Sequence, residues 1–526
     1  MSSLPPEIWG LVIDFLQHRD QRTCLFLSRV HHNVAFSHLF SHVTVTFGLW
    51  IWPREWTHTG QLINPSNDRR NRQRMVRRNN ITWEVLQAIS FRPDFARVVR
   101  EFTVLAHGWE RGEYVFEKRC LIEALEVLPN LRVFRWYGQR PAPSSEIFEA
   151  LATKSKTTLT ELHMPMLEHM APVLPRSVDR FSSLRSLSLV FPDANAGVEF
   201  NARDDAASRL LDIKDPIITR LSISGEALWG CRQPLRSFLA LQELELIYTA
   251  MDSGLRDILA HCAAITSLTL LPTECTDLGQ LFMALEEHRD TLPGLTSFKY
   301  LAPRQFDVAT TALALGEFLK NKQCLRRLDV MFHGDHRMDY WFLELLPNLP
   351  TLEVLGFNFV RRQGEILSIE RAIPAHVSAL RLGPLIDLDV DDQESPYGSY
   401  DRMREGPWMK LLKSRTSLRY LHIFEYTIMA ELPREDYALS VEELPSSLEL
   451  FGYGLYLRPI VQESSDEASS SSISATRPVF GACWPPAKVA FRTAEDFGCA
   501  DWEWLLRWHD FNGLDSLRPG VLKNGV

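Results

Sequence analysis

His333-Gly334-Asp335-His336, with Asp339 close behind, groups two imidazoles and two carboxylates, side chains that suit a divalent metal ion. The group directly follows an apolar strand pattern, where the chain must turn, and Gly334 suits a turn. The expectation is therefore a turn, with no metal and no cofactor. His38 and His42 are four apart but lack the adjacent glutamate of a zinc-binding H-E-x-x-H helix. The eight cysteines (Cys24, Cys120, Cys231, Cys262, Cys275, Cys324, Cys483 and Cys499) are scattered without a Cys-x-x-Cys pair, which predicts reduced, buried thiols. A catalytic thiol would need a neighbouring base, and nothing in the sequence selects one. No G-x-x-x-x-G-K-[ST], G-x-G-x-x-G or G-x-S-x-G is present, so the common nucleotide-binding and serine-hydrolase signals are missing. A non-catalytic protein is expected.

The residues best placed for chemistry of recognition belong to a repeated pattern, apolar-x-x-apolar-x-apolar. Copies begin at Val99, Leu131, Leu159, Leu184, Ile218, Leu241, Ile265, Leu295, Leu325, Leu352, Val377, Leu418 and Leu448. Thirteen copies, mostly 23 to 32 residues apart, match the period of leucine-rich repeats, each supplying one strand and a return segment. Amphipathic runs at Arg119–Val127, Glu146–Thr153, Leu278–Glu287 and Thr311–Leu319 supply helical returns. The turn asparagine usual in such repeats is missing, with Tyr248, Thr273 and Gly334 near that place in three copies, so the turns should be uneven.

Strand side chains alternate between faces, so the two residues around the central apolar one point away from the core and would line a concave surface. That places Arg135, Tyr137, His163, Glu243, Glu245, Lys299, Arg327, Asp329, Arg381, Tyr420, His422 and Phe424 as the expected protein-substrate contacts. Val133, Glu161, Ser267, Thr269 and Met331 share the same surface. Mixed charge with aromatic and arginine anchors suits a protein segment more than a polyanion.

Ahead of the repeats, Leu4-Pro5-Pro6-Glu7-Ile8 opens a helix: proline loses little at the first turn, and Glu7 complements the positive helix end. Ile8, Leu11, Val12, Phe15 and Leu16 form one apolar stripe, and Trp9 and Ile13 add a second line. A second helix is predicted over Thr23–Val30 and a third through Val34, Phe36, Leu39 and Phe40. So small a unit cannot cover both apolar lines, which calls for a further partner.

These residues resemble an F-box. The opening Leu4–Ile8, the helix to Leu16, Leu27-Ser28-Arg29-Val30 and the closing His38–Val43 carry the resemblance. The family's second block, Leu-Ser-x-Val-Cys-x-x-Trp, is matched by Leu27, Ser28 and Val30, whereas His31 replaces the cysteine and the tryptophan is missing. Together with the repeats, the chain is similar to fungal-type F-box proteins with a divergent leucine-rich-repeat domain. The resemblance implies an α/β chain: a three-helix F-box followed by an irregular solenoid of parallel strands and helical returns. It also implies docking onto a Skp-type adaptor, and through it a cullin and a RING subunit, with contacts at Leu4, Pro5, Ile8, Leu16, Leu27 and Val30. The chain would be the substrate-receptor subunit of a ubiquitin ligase, the substrate an unknown protein. A repeat-based interaction scaffold outside any ligase is the alternative.

The expected organisation is an F-box over 1–47, a basic linker with a helix leading into the repeats over 48–94, and the solenoid over 95–460. A Ser-rich acidic disordered linker follows over 461–478, then an aromatic cap over 479–526. Arg69, Arg70, Arg72, Arg74, Arg77 and Arg78 read as a solvated loop before a helix at Trp83, or as a nuclear signal or phosphate-binding strip. The long interval before Leu418 holds an acidic loop over 387–400 that could meet a partner. Trp504, Trp508 and Phe511 are expected to fold back and cover the exposed end of the repeats.

A net charge of −9 over 526 residues gives no general attraction to nucleic acid or anionic lipid, and no nucleic-acid partner is expected. With no basic leader followed by an apolar stretch and no apolar window of about 18 residues, the expectation is a cytoplasmic and/or nuclear protein without a membrane partner.

Overall fold

The computed structural model describes residues 4–16, 18–48, 69–107, 114–165, 180–190, 217–224, 239–249, 253–272, 278–301, 308–331, 344–357, 360–361, 372–383, 386–387, 412–423, 441, 444–453, 456–464, 476–485, 488–489 and 494–509. The chain divides into two compact units, one running to Leu241 and the other from Gln242 to Leu517.

In the first unit, α1 (Pro6–Asp14), α2 (His18–Cys24) and α3 (Arg29–Leu39) form a small bundle. Pro6 and Glu7 start α1 as the sequence predicts, and the Ser28 hydroxyl caps α3 by accepting from the His31 amide. Ile13, Cys24 and Ala35 form the bundle's buried centre, with Leu16, Leu25, Val34 and Leu39 packed around them. The strands are β1 (His42–Gly48), β2 (Glu101–His107), β3 (Val133–Arg140), β4 (Glu161–Pro165), β5 (Ser186–Val190) and β6 (Arg220–Ser224), each parallel to the next. Helices α4 (Arg69–Phe91), α5 (Pro93–Val98), α6 (Val115–Leu125) and α7 (Ser145–Lys154) make the described returns.

The second unit continues the pattern with β7 (Glu243–Thr249), β8 (Ser267–Pro272), β9 (Ser297–Leu301), β10 (Arg327–Met331) and β11 (Val354–Phe357). After them come β12 (Val360–Arg361), β13 (Ala379–Leu382), β14 (Ile386–Asp387), β15 (Tyr420–Ile423) and β16 (Leu450–Tyr453). Each is parallel to the next, except that the short β12 and β14 pair with one another outside the main sheet. Ser253–His261, Leu278–Glu287 and Val308–Leu319 are helical returns. All thirteen sequence copies become strands because their apolar residues fall into register: Leu244, Leu268, Phe298, Leu328, Leu355, Leu380, Leu421 and Phe451 align across one buried row. Within each unit the carbonyl of the copy's second residue accepts two amides of the next copy; Arg326 O, for example, takes Glu353 N and Val354 N. In the turns that lead into the strands, assorted side chains satisfy backbone carbonyls: Ser155 Oγ donates to Leu128 O, Lys322 Nζ to Arg289 O and Thr291 O, and Arg415 Nη1 to Ile373 O and Pro374 O.

Several expectations change. Strand β1 lies inside the stretch assigned to the helical N-terminus, so the parallel sheet begins at His42 and not near residue 95. The arginine run forms the first turns of α4 and not a loop. Gln462, Glu463 and Ser464, placed in a disordered linker, lie in β17 (Tyr456–Ser464), which pairs antiparallel with both β16 and β18 (Thr476–Phe480). Of the thiols expected to be buried, Cys24 and Cys262 are, while Cys324 and Cys483 are exposed. Cys231, Cys275, the 333–339 group and most of the acidic loop lie outside the described residues. Among the described residues no helix is long and apolar enough to cross a membrane.

Candidate functional site: an apolar helical face and a covered strand face

On the N-terminal bundle, Trp9 and Ile13 turn inward, Trp9 meeting the His31 ring at 4.3 Å and Ile13 filling the centre. The longer apolar stripe therefore faces outward. Of the residues assigned to an adaptor, Leu4, Ile8, Leu27 and Val30 are large and exposed, Pro5 is exposed, and Leu16 is half-buried against the bundle's own centre. Leu11, Val12, Phe15 and Phe26 join the patch, with Phe15 and Phe26 at 90% and 86% exposure. The helix expected over Thr23–Val30 is instead a turn between α2, which ends at Cys24, and α3, which starts at Arg29, and that turn is what leaves Phe26 outward.

The strand face of the first unit is a chain of ion pairs. His42 meets Glu101 at 3.1 Å, Arg135 meets Glu101 at 2.9 Å and Glu161 at 2.8 Å, and Arg220 approaches Glu161 at 3.8 Å. The His42 hydrogen bond holds the Glu101 carboxyl below its ordinary range, against the opposing effect of burial. His163 Nδ1 lies 2.8 Å from the Ser188 hydroxyl and its ring 4.8 Å from Tyr137. Three of the expected contacts, Arg135, Tyr137 and His163, thus sit together, half-buried.

In the second unit the fifth residue of each copy aligns in one row: Glu245, Thr269, Lys299, Asp329, Gly356, Arg381, His422 and Gly452. Two glycines shape it. A Cβ on Gly356 would stand 2.2 Å from Asp329 Oδ1, and one on Gly452 would stand 2.3 Å from His422 Nδ1. The bare Gly356 lets Arg381 reach across a strand to Asp329 Oδ1 (Nη2 at 2.9 Å), while Lys299 Nζ holds Asp329 Oδ2 at 2.8 Å.

This row was expected to be an open concave surface. Instead Lys299, Asp329, Arg381, Tyr420 and His422 are fully buried, because residues 494–509 lie over them. Lys299 Nζ donates to the carbonyls of Trp504 (2.7 Å), Leu505 (3.2 Å) and Arg507 (2.7 Å), closing the end of the helix Ala500–Leu506. His509 Nε2 is 2.5 Å from Asp329 Oδ2. Arg507 meets Glu245 at 3.0 Å, and Arg326 makes a two-pronged pair with Asp501 at 2.7 and 2.8 Å. Trp502 stacks on Tyr420 at 5.3 Å, and the Trp504 ring faces Lys299 at 4.7 Å and Arg327 at 5.4 Å. Glu243 stays exposed, and Phe424 lies outside the described residues.

Burial pushes the Lys299 amine down to about 8 despite the Asp329 charge. Burial would raise the Asp329 carboxyl, but His509, Lys299 and Arg381 together hold it well below the usual carboxylate range. The His509 imidazole is held neutral by burial and by Arg381, so Nε2–H donates to an ionised Asp329. The arrangement is a buried polar network: a carbonyl-capping lysine, arginines paired with carboxylates and a central carboxylate.

Parallel strands stacked one per repeat, with helical returns, define the class as a leucine-rich-repeat-like fold. No protein-family model matches the chain, and no curated protein matches it. Among solved structures, the crystal structure of a TLR13–ssRNA13 complex is similar at 14% identity and a TM-score of 0.26. That similarity covers 64% of this chain and 42% of that one, so the chain spans under half of that protein's length.

Proposed function

We propose that the protein is a non-catalytic substrate receptor of a Skp–cullin–F-box ubiquitin ligase, its N-terminal bundle docking a Skp-type adaptor and its strand surfaces receiving a protein substrate. The observation that carries this reading is the outward apolar face of Leu4, Ile8, Leu11, Val12, Phe15, Phe26, Leu27 and Val30. Exposed apolar side chains of this size on so small a bundle suit a partner site, and they include Leu4, Ile8, Leu27 and Val30 of the six residues that the F-box resemblance assigns to the adaptor. Ubiquitin transfer would then be accelerated by holding substrate near the ligase's transfer machinery, with no chemistry on this chain.

The test is co-purification with a Skp-type adaptor and cullin, comparing wild type with a Leu4→Asp, Ile8→Asp double variant whose melting temperature is checked alongside. Wild type should retain the adaptor, and the variant should lose at least ~30-fold in affinity, equivalent to about 2 kcal/mol. A wild-type chain that captures no adaptor would leave the leucine-rich-repeat-like interaction scaffold as the function.

A further inference from the structure

The segment 494–509 does not cover the end of the repeats. That edge, β16, is already paired with β17, and β17 with β18. The segment lies across the strand face, touching β11 and β13; it buries Trp502, Trp504, Leu505 and Leu506, and its pose is fixed by polar anchors: Lys299 on its carbonyls, Asp329 on His509, Arg326 on Asp501 and Glu245 on Arg507. Desolvated ion pairs add little net stability compared with an apolar contact of equal size, but they fix one partner in one pose. The segment also leaves its helix through Trp508 at φ 67°, a left-handed conformation that costs a bulky residue free energy and delivers His509 onto Asp329. Polar anchors that fix one pose, a left-handed exit at Trp508 and a sheet edge already paired with β17 suit a segment seated on the strand face as a ligand would be.

We infer that the strand face from β7 to β15 is a recognition site for a short helical protein segment, and that residues 494–509 occupy it as a ligand in cis. A partner for this site carries the same chemistry: a carboxylate at the helix start for Arg326, aromatic rings two residues apart for Tyr420, Arg327 and Lys299, and a free helix end whose carbonyls Lys299 caps. Binding in trans requires the cis segment to leave. This deepens the receptor reading and rests on its assignment of the strand face to substrate.

Two measurements on the full chain decide it. Native-state hydrogen exchange should show amides of 500–506 opening while β9 to β13 stay protected, at least ~10-fold apart in exchange rate. A fluorescein-labelled peptide of the 494–509 sequence should bind an Asp501→Arg chain ~10-fold more tightly than wild type, because the loosened segment yields the site. The same peptide carrying Asp501→Arg should gain nothing. Exchange of 500–506 together with the strands would make the segment part of the core and overturn the inference. So would an Asp501→Arg chain that opens at 500–506 and binds no more peptide. Should that variant fail to fold, exchange in the wild type decides alone. Neither arm involves the N-terminal bundle, so failure here and failure of adaptor capture are read separately.

Discussion

Asp329 is the residue on which the covered face turns, because it is the one carboxylate shared by Lys299, Arg381 and His509 at zero exposure. Removing its charge leaves two buried cations without their counter-ion, so Asp329→Asn should cost about 3 kcal/mol of stability, read as a lower urea midpoint. Gly356 is the steric complement. Its added Cβ would meet Asp329 Oδ1 and, at 2.9 Å, Leu505 Cδ1, so Gly356→Ala should cost about 2 kcal/mol and loosen the segment above it, seen as faster exchange at Leu505. Both positions are visible in the sequence as the fifth residue of a copy, LRRLDV and LEVLGF. Their pairing is not, because nothing local says that an arginine two strands away passes over a glycine.

At the scale of the element, α4 carries its own contradiction. Within α4 no carboxylate precedes Glu84, arginines crowd the positive helix end, and Arg74 and Arg78 stand one turn apart, with burial and Arg74 lowering the Arg78 pKa. Arg74→Glu should therefore stabilise the first unit by about 0.5 kcal/mol, measured by urea denaturation. A charge run of this kind predicts a solvated loop. The helix forms since Thr82, Leu86 and Ile89, further along, bury one face, and Thr82 Oγ1 exchanges hydrogen bonds with the Thr46 backbone of β1 at 3.0 Å. The bundle before it shows the reverse case, where the periodic stripe was legible but its direction was not. Which apolar line turned inward depended on α2 and α3 supplying Cys24 and Ala35.

For the whole molecule, repeats that touch only their neighbours make stability a sum of local terms, and one of those terms is sensitive to acid. His107, at the end of β2, is pushed down by burial from 6.5 to about 4. A base whose folded pKa is depressed leaves the unfolded chain binding more protons between those two values, so stability falls as pH drops from 6.5 toward 4. The loss should approach about 3 kcal/mol, and His107→Phe should flatten that acid limb in denaturation curves taken across the window.

The amino-acid sequence alone determined the repeat: apolar spacing is local, each copy carries its own strand, and thirteen strands appear where thirteen copies stand. It also determined that the N-terminal helices hold more apolar surface than they can cover. Only the tertiary structure decided that the polar row of the second unit is closed. Lys299 and the carbonyls it caps lie more than 200 residues apart in the chain, at separations of 205 to 208. Alternation along a strand tells which face a side chain takes, but not what lies on that face, since coverage comes from contacts that no local pattern encodes.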